Sequence, residues 1–235
     1  MTESATIERR HRERYGVLLG ALVLAFGIQG IAQPGRWEQL LVSVLLAVTL
    51  LLSFWAADVK VWVLRAGMLV VAAVIVLSLA EALQGNVDAE ATRIANALLV
   101  VLAPPAIVIG VLRSMRARQA VTLEAVFGVL CVYILLGMFF AYTYGLINDL
   151  GGSPFFAGGQ QATVARCLYY SFTTLTTVGY GDLTSRSNLG HTLSTSEALL
   201  GQIYLITVVS LLVTNLRPRR APERSHSAGD GEHRR

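Results

Sequence analysis

The chain has 235 residues, of which 54% are hydrophobic and 14% are charged, with a formal net charge of +4. It is far more apolar than an average soluble domain, and its apolar residues form long uninterrupted blocks, as is typical of membrane proteins. The basic residues lie at the ends of these blocks. We therefore interpret the positive charge as a membrane-topology signal, and we do not expect nucleic-acid binding.

Six apolar blocks are long enough to cross a hydrocarbon core of about 30 Å as helices. We predict an all-α membrane protein whose transmembrane helices lie near Tyr15–Ala32, Trp37–Ala57, Val61–Leu83, Ile94–Leu112, Val121–Ile147 and Glu197–Leu216. Turn-forming or charged links such as Pro34-Gly35-Arg36 separate the blocks. The charged residues 1–14 are predicted to form a cytoplasmic N-terminus, and the polar residues 217–235 a disordered cytoplasmic tail.

The basic residues also predict which side of the membrane each link faces. The chain has 19 lysines and arginines, and most of them flank block ends that would share one side; the exceptions are Arg36, Arg93, Arg166 and Arg186. The positive-inside rule makes the shared side cytoplasmic. We therefore predict a multi-pass protein of the plasma or inner membrane with both termini in the cytoplasm. The link between the fifth and sixth blocks then enters the membrane from outside.

The fourth block differs from a voltage-sensing helix. Such a helix carries several arginines that move through the membrane field, whereas Ile94–Leu112 contains none. It contains Pro104-Pro105 instead, which is expected to kink or split the helix. We predict that residues 15–118 form a sensor-like four-helix domain without gating charges, and that voltage dependence is weak or absent.

A few charged residues lie within or at the ends of the blocks. Glu81 and Arg65 are expected at the membrane interfaces, because long side chains reach the surface; a proton or cation sensor at Glu81 is the alternative. Glu124 and Glu197 lie where the fifth and sixth helices are predicted to begin. Acidic residues there complement the helix dipole, and we interpret both in that way.

The link between the fifth and sixth blocks carries the most informative pattern. The glycine-rich segment Asn148–Gln161 is predicted to be an extracellular turn, followed by a short re-entrant helix at about Thr163–Thr176. Consecutive carbonyls can point to one side and bind a dehydrated cation if the backbone alternates between right- and left-handed conformations. Glycine adopts the left-handed form at little cost, and Gly179 and Gly181 occupy alternate positions.

The residues from Tyr169 to Asp182 read Y-Y-S-F-T-T-L-T-T-V-G-Y-G-D. This string resembles the tetrameric potassium-channel family, in which T-V-G-Y-G forms the selectivity filter. The resemblance covers about Val121–Leu216, and together with the six apolar blocks it suggests a bacterial-type six-transmembrane potassium channel without a charged voltage sensor. It implies a pore domain at 119–216 that consists of an outer helix, a pore helix, a filter and an inner helix.

The resemblance also implies a function, a set of filter residues and partners. The filter residues would be Thr177, Val178, Gly179, Tyr180 and Gly181, with K⁺ bound at the first four. The chain would conduct K⁺ passively as a homotetramer, because it holds one such loop and a ring of oxygens needs four. Membrane lipids, potassium ions and other copies of the chain are the expected partners. No cofactor and no catalytic residue is expected.

Three residues are predicted to support the filter. Tyr169 and Tyr170 stand where similar channels often carry a pair of tryptophans. We expect Tyr169 to hydrogen-bond the carboxylate of Asp182 and Tyr170 to pack behind Tyr180. The alternative is that both tyrosines only fill space against neighbouring helices.

The last block is predicted to line a cavity and a gate. Gly201 lies where similar channels keep a hinge glycine in the inner helix; close packing of two helices on a small residue is the alternative. By the same spacing, the cavity candidates are Thr176, Gln202, Ile206, Val209 and Val213. Val209 and Val213 would form an apolar constriction that gates by dewetting.

Two other classes of function are considered. A potassium transporter, or a membrane subunit of one, is the first alternative, although related transporters carry four degenerate pore loops in one chain. A membrane enzyme is the second, but the sequence contains no nucleophile–base pair, metal-ligand cluster or phosphate loop. The single intact loop therefore favours a channel.

Overall fold

The computed structural model describes residues 3–31, 36–57, 61–84 and 123–215, together with residues 94, 98 and 100. The helices are α1 (Glu3–Ile31), α2 (Arg36–Ala57), α3 (Val61–Gln84), α4 (Leu123–Leu150), α5 (Val164–Leu175) and α6 (Asn188–Asn215), with one 3-10 turn at Ala157–Gly159. Within these ranges the one β feature is an isolated antiparallel bridge between Phe156 and Ser185. The prediction of an all-helical chain is confirmed for this part.

Several predictions fall on other parts of the chain. Most of the fourth block, including Pro104 and Pro105, and the tail 217–235 lie outside the described residues. So do the side chains of Glu81 and Glu124. The weak voltage dependence that the fourth block predicts therefore remains a prediction.

The last helix, α6, begins well before the apolar block that predicted it. It starts at Asn188, in a polar stretch, where Ser187 accepts a hydrogen bond from the backbone N–H of Gly190 at 3.1 Å and so caps the helix. The hydroxyls of Thr192, Ser194 and Ser196 each donate to the carbonyl four residues earlier. Because these polar groups are satisfied within the helix, hydropathy alone does not reveal its first turns.

One described helix is long and apolar enough to cross a membrane, judged by length and composition, and it spans Val126–Leu150. Three shorter apolar helical stretches lie at Tyr15–Ile31, Ser43–Phe54 and Leu64–Ala80. The first two of these stretches are preceded, within their own helices, by charged or polar residues. Helix α1, for example, starts at Glu3. The count of six crossing helices remains a prediction.

The helices of the C-terminal half pack around α5. Helices α4 and α6 both contact α5, and α1 contacts α4 and α5, while α2 packs against α1 and α3. Tyr142 of α4 donates a hydrogen bond to the side-chain oxygen of Gln29 in α1, at 2.8 Å, and both residues are buried. The N-terminal helix is thus attached directly to the helices that surround the loop at residues 176–182.

Candidate functional site: the loop after α5

The short helix α5 positions the loop. Thr163 caps its first turn, since its hydroxyl accepts from the backbone N–H of Arg166 at 3.3 Å. One face of the helix is buried against α4 and α6 and consists of Cys167, Leu168, Tyr170, Ser171 and Leu175. At the other end, Thr176 donates its backbone N–H and its hydroxyl to the carbonyl of Phe172, at 3.1 and 2.6 Å. The helix therefore ends where the candidate filter begins.

The loop itself alternates in backbone handedness. Thr177, Gly179 and Gly181 have φ values of +58°, +48° and +80°, and the residues between them do not have positive φ. Thr177 is the one non-glycine residue with positive φ in the described part of the chain. Left-handed backbone is unfavourable for a β-branched residue, so the surrounding structure must hold Thr177 in place. An alternating ribbon of this kind, here Thr177–Gly181, turns successive carbonyls to one side, where they can form a stack of oxygens.

Backbone hydrogen bonds hold the inner half of this ribbon against α5. The N–H of Thr177 donates to the carbonyl of Thr174 at 2.9 Å, and the N–H of Gly179 donates to the carbonyl of Thr173 at 3.1 Å. These bonds satisfy the last carbonyls of α5, which a helix end otherwise leaves without partners. They also direct the ribbon along the end of the helix, where the dipole is negative and favours a nearby cation.

The outer end of the ribbon is supported by Tyr169. Its hydroxyl donates to a carboxylate oxygen of Asp182 at 3.1 Å, as expected. Its ring lies parallel to that of Tyr180, with centroids 6.2 Å apart and 5° between the planes. Desolvation and this hydrogen bond raise the pKa of the Tyr169 phenol from its ordinary value, so the phenol remains a donor at neutral pH.

Tyr170 does not pack behind Tyr180 within the chain, and that prediction is wrong. Its ring lies among Tyr144, Phe155 and Phe156, with centroid distances of 5.2, 5.9 and 5.4 Å. Its hydroxyl is 2.7 Å from that of Ser194 in α6. Successive residues of a helix point about 100° apart, so only one of the two tyrosines can face the ribbon.

The turn before α5 is tied to the segment after the ribbon. Phe155 and Phe156 are buried, and the carbonyl of Phe155 accepts from the N–H of Arg186 at 2.8 Å. The N–H of Ala157 donates to the carbonyl of Thr184, also at 2.8 Å. The ribbon is thus held at both ends, by α5 before it and by this bridge after it.

Of the cavity candidates, the structure describes the side chains of Thr176, Gln202 and Ile206. The side-chain amide of Gln202 donates to the hydroxyl of Thr177 at 3.2 Å, and Thr176 is exposed beside it. Ile206 is 67% exposed on the single chain. Val209 and Val213 belong to α6, but their side chains lie outside the described residues. The structure thus brings Gln202 to the inner end of the ribbon.

Gly201 lies where α6 approaches α5 closely. A β-carbon at this position would be 2.5 Å from the carbonyl oxygen of Leu175 and 2.8 Å from its side chain. No side chain fits there without movement of the backbone. This geometry supports the alternative reading of Gly201 as a close-packing residue, and the hinge role remains a prediction.

Glu197 was expected to begin the last helix, and this prediction is wrong. It lies inside α6 with no exposed surface, where one carboxylate oxygen accepts from the hydroxyl of Tyr144 at 2.6 Å and the other contacts the hydroxyl of Ser171. Sequence reasoning missed this cluster, although an acidic residue beside an apolar helical run is itself a signal for a buried polar function.

The ribbon is open on one side of the single chain. Val178 is 52% exposed and Tyr180 is 71% exposed, although both follow a well-packed helix. Backbone carbonyls and the Thr177 hydroxyl are hard oxygen ligands that suit alkali cations. Across the described residues, no group of three or more His, Cys, Asp or Glu side chains could hold a metal ion. Backbone oxygens of this kind can coordinate a cation.

Residues 129–217 match the model of a protein family described as an ion channel. The match begins within α4, contains α5 and the ribbon, and extends just past the end of α6, which is less than half of the 235 residues. No curated protein and no solved structure gives a significant match to the chain. The part of the chain that carries the alternating ribbon is therefore similar to an ion channel family, and the match supports ion-channel function.

Proposed function

We propose that this protein is a potassium-selective channel that conducts K⁺ passively across the membrane as a homotetramer. The observation that carries the proposal is the alternation of left-handed backbone at Thr177, Gly179 and Gly181, within the string T-V-G-Y-G. Such a ribbon presents the oxygens of Thr177, Val178, Gly179 and Tyr180 in series. These oxygens would replace the hydration shell of K⁺, and repulsion between ions in adjacent sites would allow exit.

The exposure of the ribbon supports the assembly. One chain supplies one wall of each oxygen cage, and Val178 and Tyr180 are open to solvent on the single chain. Irregular backbone is tolerated at membrane depth only when protein or water surrounds it. Four copies around a common axis would enclose the ribbons and complete each cage.

The topology and the gating follow from the sequence. The channel would be a multi-pass protein of the plasma or inner membrane, with both termini in the cytoplasm and the ribbon near the outer face. Because the segment Ile94–Leu112 has no arginine, the conductance of the channel would depend weakly or not at all on voltage. Several gating charges in a conductance–voltage curve would contradict this point.

Flux through the purified protein in liposomes tests the function. A channel is expected to collapse a K⁺ gradient without ATP or a coupled ion, and to leave a Na⁺ gradient nearly intact. Equal K⁺ and Na⁺ flux would refute selectivity, while a requirement for ATP or a co-transported ion would favour a transporter. The mass of the detergent-solubilised complex checks the assembly, and a monomer would refute it.

A further inference from the structure

Glu197 connects three helices through hydroxyl groups and is not itself part of the ribbon. It lies on α6 and contacts Tyr144 of α4 and Ser171 of α5, and all three residues have no exposed surface. The hydroxyl of Ser171 also donates to the backbone carbonyl of Gly137 in α4 at 2.6 Å. This cluster of Tyr144, Ser171, Glu197 and the Gly137 carbonyl lies on the buried side of α5.

The number of protons available to this cluster indicates whether the carboxyl group of Glu197 is protonated. The Ser171 hydroxyl lies within hydrogen-bond distance of both the Gly137 carbonyl and Oε1 of Glu197, but it has a single proton and can donate to only one of them. The Tyr144 hydroxyl has one proton, and it points to Oε2 of Glu197. Because neither a carbonyl nor an ionised carboxylate can donate, one of the two contacts of the Ser171 hydroxyl has no proton unless the carboxyl group of Glu197 carries one and donates it to Ser171. With that proton, every member of the cluster is satisfied.

The surroundings of Glu197 also favour a protonated carboxyl group. A buried carboxylate without a cation is costly, and such groups normally take up a proton. The groups that act on Glu197 are Tyr144 and Ser171, and the other ionisable groups facing this region are the phenols of Tyr133 and Tyr170. In the described part of the chain, no arginine, lysine or histidine contributes to its electrostatic environment. His191, earlier on α6, is occupied with the carbonyl of Ser185 at 2.9 Å.

We propose that Glu197 is a neutral carboxylic acid that donates a hydrogen bond to Ser171 and thereby positions α5, and with it the ribbon. The chain of donors runs from Tyr144 to Oε2 of Glu197, and from Oε1 of Glu197 through Ser171 to Gly137. Ser171 is adjacent to Phe172, whose carbonyl accepts both hydrogen bonds from Thr176 at the start of the loop. The effect on ion selectivity rests on the proposed function, whereas the protonation state does not.

Infrared difference spectroscopy of the full-length protein tests the protonation state directly. At neutral pH, the spectrum of the wild type minus that of Glu197→Gln is expected to contain the C=O stretching band of a protonated carboxylic acid. Tyr144→Phe is expected to keep this band but to shift it to higher frequency, because Oε2 loses its hydrogen bond. Absence of the band from the wild type would overturn the proposal.

Three substitutions test the positioning role. Glutamine at position 197 can donate to Ser171 and accept from Tyr144, so Glu197→Gln is expected to keep the thermal stability of the complex and the K⁺-over-Na⁺ permeability ratio. Glu197→Ala and Ser171→Ala remove the link, and the ratio is expected to fall about tenfold, which corresponds to about 1.4 kcal/mol. A loss in Glu197→Gln as large as that in Glu197→Ala would refute the role.

The two kinds of readout separate this proposal from the proposed function. The infrared band and the thermal stability do not depend on ion flux. If the protein conducts no K⁺ but shows the band, the neutral link stands and the channel function fails. If Glu197→Ala does not assemble, Glu197→Gln and the infrared band still decide the question.

Discussion

Phe26 of α1 and Phe172 of α5 lie with their ring centroids 4.6 Å apart and their planes tilted by 52°. The ring of Phe172 also contacts Gly137 of α4, where a β-carbon would be 2.7 Å from the ring. The ring of Phe172 is therefore held between α1 and α4. The helix that carries the ribbon is in direct contact with the N-terminal helix, so a movement of α1 would reach α5 without an intervening element.

This contact makes a prediction for Phe26→Ala. Loss of the ring removes the partner of Phe172 and is expected to lower the free energy of unfolding by about 2 kcal/mol, less than for a core phenylalanine because Phe26 is half-buried. Thermal unfolding of the protein in detergent measures this loss of stability. Leu24→Ala is the control, since Leu24 is exposed on the same helix. Equal losses in the two variants would show that the ring contact contributes nothing specific.

Alanine substitutions at a matched pair of glycines test whether the ribbon is the selectivity filter. Gly181 and Gly158 have φ values of +80° and +81°, and at both a β-carbon would meet nothing within 4 Å in the chain. Alanine at either position is expected to cost about 1–2 kcal/mol, because both need left-handed backbone. Only Gly181→Ala should abolish K⁺ selectivity in liposome flux, since Gly158 lies in the turn before α5. Selectivity that survives Gly181→Ala, or fails in Gly158→Ala, would argue against the ribbon as the filter.

Tyr169→Phe removes the hydrogen bond to Asp182 but keeps the ring over Tyr180. We expect channels that still select K⁺ but lose current faster during sustained activity, because the outer end of the ribbon has lost one support. Single-channel recording in a planar bilayer measures this, and Tyr204→Phe is the control, as its hydroxyl bonds the carbonyl of Val129 in α4. Wild-type behaviour of Tyr169→Phe would remove the bond from the mechanism.

The same bond has a defined pH dependence. The pKa of Tyr169 is raised above the ordinary phenol value of 10.0, chiefly by desolvation and then by Asp182. A raised pKa means that the contribution of the phenol is fully present below the ordinary value and is lost only as the pH rises through the higher one. We expect the difference between wild type and Tyr169→Phe to stay constant from neutral pH to about pH 10. A difference that disappears near neutral pH would contradict this assignment.

Gly201→Ala separates close packing from a hinge. The added β-carbon would meet the backbone oxygen of Leu175, which cannot move without α5, so we expect a loss of about 1–3 kcal/mol in stability. Gly20→Ala is the control, because Gly20 has nothing within 4 Å and alanine there should stabilise α1 by about 1 kcal/mol. A Gly201→Ala variant of unchanged stability but altered opening would favour the hinge instead.

Local patterns predicted several features of the site. The short helix was expected at about Thr163–Thr176, and α5 spans Val164–Leu175. The two alternate glycines adopt left-handed backbone, and Tyr169 reaches Asp182. Each of these features depends on residues close together in the chain, where backbone sterics and side-chain reach are enough to decide the outcome.

Features that join distant segments were missed or misplaced. Tyr170 packs against Tyr144 and Phe155 and not against Tyr180, and Glu197 is buried between helices and not at a helix start. Which face of a helix meets which neighbour depends on how the helices cross, and a sequence read one segment at a time does not contain that information.

The order of residues by itself determined that the loop after α5 could alternate in handedness and offer its carbonyls to a cation, because glycine at alternate positions removes the steric cost. Only the packing of α1, α4 and α6 around α5 decided how that loop is held. Phe172 lies between two helices and Glu197 lies among three, and the burial that makes its charge unfavourable exists only once those helices have assembled.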